Sequence, residues 1–476
     1  MNDVRQVNLF IGGEWQSGEG TIEVTDKYTG KVIAYAARAS HEQVDAAVAA
    51  AKQSFEKNPL EPSRRFEILQ KTAELLERRR PDFIESIVSE SGFPVSDAAN
   101  EVSRCVQTFL ISAEEAKRLT GEMVPIEGAP GQSHRMAYTI RMPRGVVCGI
   151  TSFNSPLNMV AHKVAPALAA GNTVVIKPPS STPISAAILC EILVEAGLPP
   201  SHVNLIQGPG GQVGAWLTDN PDIRFFTFTG STSVGKTLRD AIGLRPIALE
   251  LGSIAATIVC DDADLARAVP RCVNSAFRRA GQACTSIQRL FVHETVLDRF
   301  SQLLIDATSK LKVGNPRDQE TVVGPMISID DAKRAERWVQ EAVQEGASLL
   351  CGGRREGSLL YPTILTEVRA SMKVVCEEIF APVMSIIPFS SFDDVIKQVN
   401  STPFGLACGV FTQDITRAMK ATRELHVGVV HINESSSSRV DLIPFGGVKD
   451  SGLGREGPRY AMQEMTEERL ITISLS

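Results

Sequence analysis

The chain of 476 residues has no Cys-x-x-Cys pair, no uninterrupted apolar run of membrane-spanning length and no concentrated block of positive charge. Each absence excludes something. Without cysteines paired at metal or redox spacing, a zinc site or thioredoxin-like function has no obvious ligand set, and no metal centre is expected. Without a long apolar run there is no candidate membrane-spanning helix. A net charge of -6 and a pI near 5.8 leave no basic footprint for nucleic acid or a membrane surface. The opening residues, Met1-Asn2-Asp3-Val4-Arg5, form neither a charged-then-apolar leader nor an arginine-rich transit pattern, so a cytosolic location is expected. Nine scattered cysteines, mostly inside apolar runs, point to the same reducing compartment.

What is present is ordinary globular material, 43% hydrophobic and 22% charged, in a chain too long for one core. Two large domains are expected. Apolar residues recur at helical spacing over 41–57 and 62–80, and 82–107 continues helically with a break at Gly92-Phe93-Pro94. Strand-like segments at 122–127 and 133–142 flank a Gly/Pro turn. Two strands alone are marginal, so this ribbon is expected to pair with a distant strand or another subunit. From Gly145 the pattern alternates: strands at 146–152, 173–177, 203–207 and 224–229, helices at 160–170, 183–196 and 211–219. Near-continuous apolar strands in that order indicate a parallel sheet covered on both faces, with ligands beyond its carboxyl ends. A second alternating block has strands near 255–259, 289–292 and 383–388, with helices near 296–311, 331–345 and 392–399. The end, 469–476, reads as a strand.

Three motifs bear on chemistry. Gly281-Gln282-Ala283-Cys284-Thr285-Ser286 puts a cysteine among small and polar residues between an expected helix (265–279) and an expected strand (287–293), where a thiol can be reached and ionised. The stretch Gly230 to Thr237 satisfies the phosphate-loop pattern Gly-x4-Gly-Lys-Ser/Thr, with Lys236, and Asp261 after an apolar run could hold magnesium. A nucleotide triphosphatase or kinase is the competing reading. Under either reading the helix start after Gly230 is an anion site suited to a pyrophosphate. The cluster Gly208 to Gly214 misses the dinucleotide fingerprint, with Val213 where the third glycine belongs, and reads as a turn.

Seven motifs in order then carry a resemblance: Phe153-Asn154-Ser155-Pro156-Leu157-Asn158, Val175-Ile176-Lys177-Pro178-Pro179, Phe228-Thr229-Gly230-Ser231-Thr232, Leu249-Glu250-Leu251-Gly252, Gly281-Gln282-Ala283-Cys284, Glu377-Glu378-Ile379-Phe380 and Pro444-Phe445-Gly446-Gly447. Together they resemble the aldehyde dehydrogenase superfamily almost end to end, nearest its lactaldehyde and non-phosphorylating glyceraldehyde-3-phosphate dehydrogenase-like branch. The resemblance implies an α/β fold with three parts: a Rossmann-like cofactor domain (1–120 and 143–248), an α/β catalytic domain (249–458) and a small β bridging element for oligomerisation (121–142 and 459–476). A homodimer or homotetramer follows from that architecture.

The resemblance also implies roles. Cys284 is similar to the nucleophile that forms a thiohemiacetal, Asn154 to the side-chain half of the oxyanion hole, and Glu250 to the base that activates water on the thioester. Its presence implies a non-acylating enzyme that releases a free acid; retention of all three speaks against a catalytically silent scaffolding relative. Gly230 and Ser231 resemble the pyrophosphate turn, Lys177 the adenosine-ribose contact, Glu378 the nicotinamide-ribose contact and Phe380 the wall beside nicotinamide, with Ser152 and Phe153 beside them. Ser180 stands where NAD-specific members usually have glutamate, so NADP is expected to be accepted as well as NAD. Ser253 and Ala381 replace glycines usual in the family. The loop Asn433 to Asp441 resembles that of the glyceraldehyde-3-phosphate branch, but Ala283 stands where those relatives have arginine. A short polar or anionic aldehyde of the lactaldehyde, glyceraldehyde, sulfolactaldehyde or semialdehyde kind is expected, oriented by Arg439 and Arg104, with an ion pair between Arg439 and Asp441 as the alternative.

Overall fold

A computed structural model describes residues 4–475; the first three residues, read above for a leader, and Ser476 of the expected last strand lie outside it. Two large sheets organise the chain. The first has eight strands, in the order Gly452–Leu453, Ile247–Glu250, Ile223–Thr229, Val146–Ile150, Thr173–Lys177, Val203–Leu205, Leu9–Ile11 and Glu14–Gln16. From Ile247–Glu250 to Val203–Leu205 every pairing is parallel. Successive side chains leave opposite faces. Val147, Val174 and Ile176 therefore join one core, beneath the helices Pro62–Arg78, Val95–Ala116, Asn158–Ala169 and Ile184–Glu195. Val146, Cys148 and Val175 join the other, beneath His41–Lys57, Gly210–Asp219 and Thr232–Ala241. Burial on both faces is why these strands read as continuous apolar runs.

The strand order also locates a crevice. After the edge strands Leu9–Ile11 and Glu14–Gln16, the parallel part starts in the middle at Val146–Ile150, walks outward through Thr173–Lys177 and Val203–Leu205, then returns to the other side at Ile223–Thr229. Connections diverge to opposite faces at that reversal, which leaves an opening beyond the carboxyl ends of the two middle strands.

The second sheet has seven strands: Ser348–Cys351, Thr363–Thr366, Val383–Phe389, Arg289–His293, Ala256–Val259, Ala407–Phe411 and Val429–Ile432. All its pairings are parallel except the antiparallel edge at Ser348–Cys351. The expected ribbon finds its distant partner: Arg135–Pro143 pairs antiparallel with Thr466–Ser474, from Thr466 opposite Pro143 to Ser474 opposite Arg135. Its other flank is shorter than expected. Only Met123–Val124 pairs there, and Pro125, which has no amide to donate, leads into a 3-10 turn at Ile126–Gly128.

Helix starts differ from expectation where a buried carboxylate supplies the cap. The helix expected from 160 begins at Asn158, because the fully buried Glu101 accepts the amides of Leu157 at 2.9 Å and Asn158 at 3.1 Å. Glu90 does the same for Ile184–Glu195, accepting from Ile184 at 2.7 Å and Ser185 at 2.9 Å. These caps come from far along the chain, out of reach of a local pattern.

Phe109 lies wholly buried on Val95–Ala116 within the first core. Phe109→Ala is expected to lower the free energy of unfolding by about 3–5 kcal/mol. Denaturant titration followed by intrinsic fluorescence checks this, and an unchanged midpoint would contradict the packing described.

Candidate active site

A cleft of about 240 Å3 opens at the strand reversal. Three parallel strands end on it and deliver Asn154, Gly230 and Glu250; Cys284, Glu378 and Arg439 close it from the seven-stranded half. Each sits just past the carboxyl end of a strand or just before the start of one, where side chains leave the sheet and face the opening.

Cys284 follows the helix Leu265–Phe277 through an unusual turn. Arg279 (φ 54°), Ala280 (φ 52°) and Gly281 (φ 68°) are all left-handed. For the two non-glycines this costs roughly 1–2 kcal/mol each. Glycine is required at the third position, because a Cβ there would lie 2.1 Å from the Ala381 carbonyl oxygen. The turn is held by Arg279, which donates to the Asn154 carbonyl and the Ser155 hydroxyl, both at 3.0 Å. Cys284 is half-buried, and burial pushes its thiol up to about 12, with Arg439 opposing and Glu250 and Glu378 adding to the rise. An ionised sulfur was expected; burial first, and then the carboxylates of Glu250, Glu378 and Glu456, favour the neutral thiol instead.

Asn154, 7% exposed, is oriented from its oxygen end: the Ser152 hydroxyl donates to Oδ1 at 2.7 Å. The amide NH2 is the end left for the cleft. Glu250 ends its strand buried, also 7% exposed, and its Oε2 has no partner among the described residues. Burial, then the neighbouring Glu456, holds its carboxyl well above the usual range. Glu456 goes the other way. Burial alone would raise it, but Lys163 at 3.2 Å and Arg439 at 2.9 Å hold it well below the usual range.

The two arginines expected to orient substrate are placed differently. Arg439 lines the cleft, lies 3.9 Å from the Phe445 ring centre and pairs with Glu456, not with Asp441. Arg104 does not line the cleft; Asp441 takes it in a fork at 2.6 and 3.2 Å and also meets His162 at 2.9 Å. The aspartate was read as a partner for the wrong arginine, since loop neighbours in sequence face different elements here.

Of the expected cofactor residues, Ser152, Phe153, Gly230, Ser231, Glu378 and Phe380 line this cleft, whereas Lys177 ends the neighbouring strand and Ser180 follows it. Phe153 and Phe380 meet edge to face with ring centres 5.8 Å apart. Glu378 accepts the Ser253 amide at 2.8 Å, and burial pushes its carboxyl to about 7. Lys177, 3% exposed, donates among the described residues only to the Pro178 carbonyl, and burial lowers its ammonium to about 8. Ser180 donates to the Gly208 carbonyl at 2.9 Å. Ser231 caps the helix Thr232–Ala241, whose amides face the opening. A buried cation without a carboxylate, a helix N-terminus and a ribose-facing carboxylate are the donor and acceptor set a nicotinamide dinucleotide needs, so these residues fit it.

At the two family departures these contacts are made by backbone, which a glycine would also supply: the Ser253 amide donates to Glu378, and the Ala381 carbonyl lies against Gly281.

The phosphate-loop reading fails on geometry. Lys236 points away from its loop to Asp450, 2.7 Å distant. Asp261 follows a strand of the other sheet and is held by Arg417. A phosphate-loop lysine and its magnesium aspartate must converge on one nucleotide, and these do not.

Sequence reading missed Glu456, Lys163, Arg334 and Arg278. Arg334 lines the cleft, donating to the Ile379 carbonyl at 3.1 Å. Arg278 stands six residues before Cys284 beside Arg104; its guanidinium makes no ion pair or hydrogen bond among the described residues, and burial lowers it to about 10. An arginine so close to the nucleophile was the available signal.

A strained, cysteine-bearing turn facing a buried carboxylate and an amide, over a dinucleotide-type sheet edge, defines a thiol-dependent dehydrogenase class. Comparison with known proteins narrows it. The sequence pattern of the aldehyde dehydrogenase family matches residues 15–471, and the chain belongs to that family. It is 47% identical to the 3-sulfolactaldehyde dehydrogenase of Priestia megaterium over 475 residues, covering 100% of this chain and 99% of that one. Aldehyde dehydrogenase 21 from Physcomitrella patens, solved with the reaction product succinate, superposes with a TM-score of 0.96 at 37% identity over 99% of this chain and 98% of that one. The glyceraldehyde-3-phosphate dehydrogenase of Methanocaldococcus jannaschii, solved with NADP, does so at 0.92 and 38% over 96% and 99%. The chain is thus an NAD(P)-dependent aldehyde dehydrogenase, and the triphosphatase reading is withdrawn.

With the thiol near 12, its thiolate fraction rises about tenfold per pH unit between roughly pH 7 and 9. Iodoacetamide labelling of Cys284, resolved by peptide mass spectrometry from the exposed Cys376, is expected to follow that slope. A rate that levels off below about pH 8 would instead reveal a stabilised thiolate.

Proposed function

We propose that the chain oxidises a short anionic aldehyde to its carboxylic acid with NADP or NAD, Cys284 acting as nucleophile, Asn154 as oxyanion donor and Glu250 as general base. The observation that carries this reading is the convergence of the three on one cleft, with Glu250 Oε2 buried and unpartnered beside the thiol. Glu456 is committed to two cations and Glu378 to the Ser253 amide, so Glu250 is the free acceptor. Cys284 Sγ bonds to the carbonyl carbon and its proton leaves to Glu250. The developing oxyanion is met by Asn154 Nδ2 and the Cys284 amide, each donor worth about 3 kcal/mol. The two-electron acceptor that converts the adduct to a thioester is the nicotinamide, when bound. Glu250, after releasing that first proton to solvent, takes a proton from the water that cleaves the thioester and returns it to the departing sulfur, so the acid leaves and the thiol is restored.

An anionic substrate is supported by charge. Arg439 and Arg104 are neutralised by Glu456 and Asp441, whereas Arg278 has no ion-pair partner. Arg278 is part-exposed and lies outside the cleft lining, but its buried Nε has no partner, and a guanidinium without a carboxylate of its own has a flat fork suited to a carboxylate or sulfonate. The relative that acts on 3-sulfolactaldehyde and the structure holding succinate agree with that chemistry. For the cofactor, the Ser180 hydroxyl beside Lys177 tolerates a 2'-phosphate that a carboxylate would repel.

Residues 1–120 with 143–248 serve, in this reading, as the cofactor-binding part, 249–458 as the catalytic part, and 121–142 with 459–476 as the oligomerisation ribbon. The ribbon exposes Met123, Leu470 and Ile473, an apolar surface suited to a dimer or tetramer contact. Nine free thiols accord with a cytosolic setting.

Two outcomes test the reading. In a panel of 3-sulfolactaldehyde, succinic semialdehyde and benzaldehyde, kcat/KM is expected to favour the anions, and Arg278→Leu to lower it for them by about tenfold or more while sparing benzaldehyde. A preference for benzaldehyde sinks the anionic assignment. Ser180→Glu is expected to lower kcat/KM for NADP by about 10–100-fold and leave NAD little changed; equal losses for both cofactors would remove the specificity argument.

A further inference from the structure

Arg279 is not part of the chemistry above, yet it is wholly enclosed by it. It is 4% exposed, with its ring-stacked guanidinium 5.0 Å from the centre of Phe93. One nitrogen, Nη1, donates to both the Asn154 carbonyl and the Ser155 hydroxyl at 3.0 Å. The other, Nη2, lies 3.4 Å from Glu101 Oε2, while Glu101 Oε1 accepts the amides of Leu157 and Asn158. Its own amide donates to Asp97 at 3.2 Å. The loop 153–158 is therefore gripped at its carbonyl end by Arg279 and at its amide end by Glu101, and the two grips are ion-paired to each other.

This grip spans the two halves of the cleft. Asn154 belongs to the eight-stranded half and Arg279 to the turn that carries Cys284, five residues before the nucleophile. Nothing else among the described hydrogen bonds joins the Cys284 turn to the Asn154 backbone. Asn154 has only two anchors: its Oδ1 is fixed by Ser152, and its carbonyl by Arg279. With both fixed, the direction of Nδ2 relative to the Cys284 amide is set. The left-handed φ of Arg279 and Ala280 fits this purpose, since strain of this kind persists only where surrounding contacts hold it.

We propose that Arg279 is a positioning residue for the oxyanion hole: it ties the side-chain donor on one half of the cleft to the main-chain donor on the other, and acts through Asn154 without touching substrate. The proposal rests on the assignment of Asn154 as oxyanion donor.

A double-mutant cycle separates positioning from simple structural support. The probe is p-nitrophenyl acetate, an activated ester that passes its acetyl group to Cys284 Sγ with loss of p-nitrophenolate, so the oxyanion hole is read without a dinucleotide. Asn154→Ala is expected to slow the burst of p-nitrophenolate by about 100-fold or more. Arg279→Lys, which keeps the charge and loses the fork, is expected to slow it by about tenfold with KM little changed. In the Asn154→Ala background the same change is expected to cost less than about twofold. Ser155→Ala, which removes one acceptor of the fork, serves as a milder second arm and is expected to show a smaller loss with the same dependence on Asn154. A full additional loss from Arg279→Lys in the Asn154→Ala background, or no loss in the wild-type background, overturns the proposal while leaving the oxyanion assignment standing. An unimpaired Asn154→Ala overturns both.

Discussion

A buried carboxylate clasped by two buried cations sets the charge state of the whole cleft. Glu456 is 3% exposed and Lys163 0%, and taking such charges from water is costly unless every group is met. Here they are. Lys163 donates to Glu456 and to the hydroxyls of Thr227 and Thr229, and Arg439 closes the other carboxylate oxygen. Glu456 therefore stays ionised, and its charge falls on the group next to it. Glu250, already raised by burial, is raised further, and Cys284 is pushed in the same direction by both. Both the thiol and the Glu250 carboxyl thus bind their protons more tightly than they would in water, and Glu250, once ionised, is a correspondingly stronger base. A site so arranged suits an intermediate that carries negative charge on oxygen, which Arg439 and the oxyanion donors can meet.

The backbone makes that arrangement possible in two unlike ways. On the eight-stranded side, regular geometry does the positioning: parallel strands end level, so Asn154, Gly230 and Glu250 arrive together although they are far apart in sequence. On the other side, irregular geometry does it. Three left-handed residues in a row and the close approach of Ala381 to Gly281 fold the Cys284 turn back toward the opening. Rigidity from the sheet and stored strain from the turn meet at Arg279.

What could be read from sequence follows the range of the interaction that decides it. Strands such as Thr173–Lys177, buried on both faces by helices, announce themselves as apolar runs, and the helix His41–Lys57 shows both its period and its Ser40 capping box. Gly20–Thr25, Val32–Arg38, Ala407–Phe411 and Val429–Ile432 were not anticipated. The first two have polar, half-exposed flanks, and in the third Gly409 is forced by the Ser435 backbone packed against it, a contact no local window contains. The same limit holds in the site. Cys284, Glu250 and Asn154 sit in recognisable motifs, but the ionisation of Cys284 was misread because its burial, and the carboxylates around it from positions 250, 378 and 456, are set by tertiary packing. Arg439 was offered Asp441 as its alternative partner and Arg104 none, whereas Asp441 pairs with Arg104 and Glu456 with Arg439.

Pairing these arginines correctly changes what the cleft can recognise. If Arg439 were free, it would face an aldehyde with a full positive charge beside the reacting carbon; paired with Glu456 and stacked on Phe445, it offers a fixed dipole instead. Arg104, spent on Asp441, cannot reach an incoming anion without breaking a bidentate pair. Arg279 is balanced by Glu101. Four arginines thus crowd the seam between the halves, and three have acids of their own. Arg278 is the remainder, with Asp97 and Glu101 near enough to support its charge but engaged elsewhere. Its guanidinium is pushed down by burial and by Arg279, so it gains most from an added anion. In the proposed reading, an aldehyde bearing a carboxylate or sulfonate would complete the seam's charge balance, whereas a neutral one would leave it incomplete.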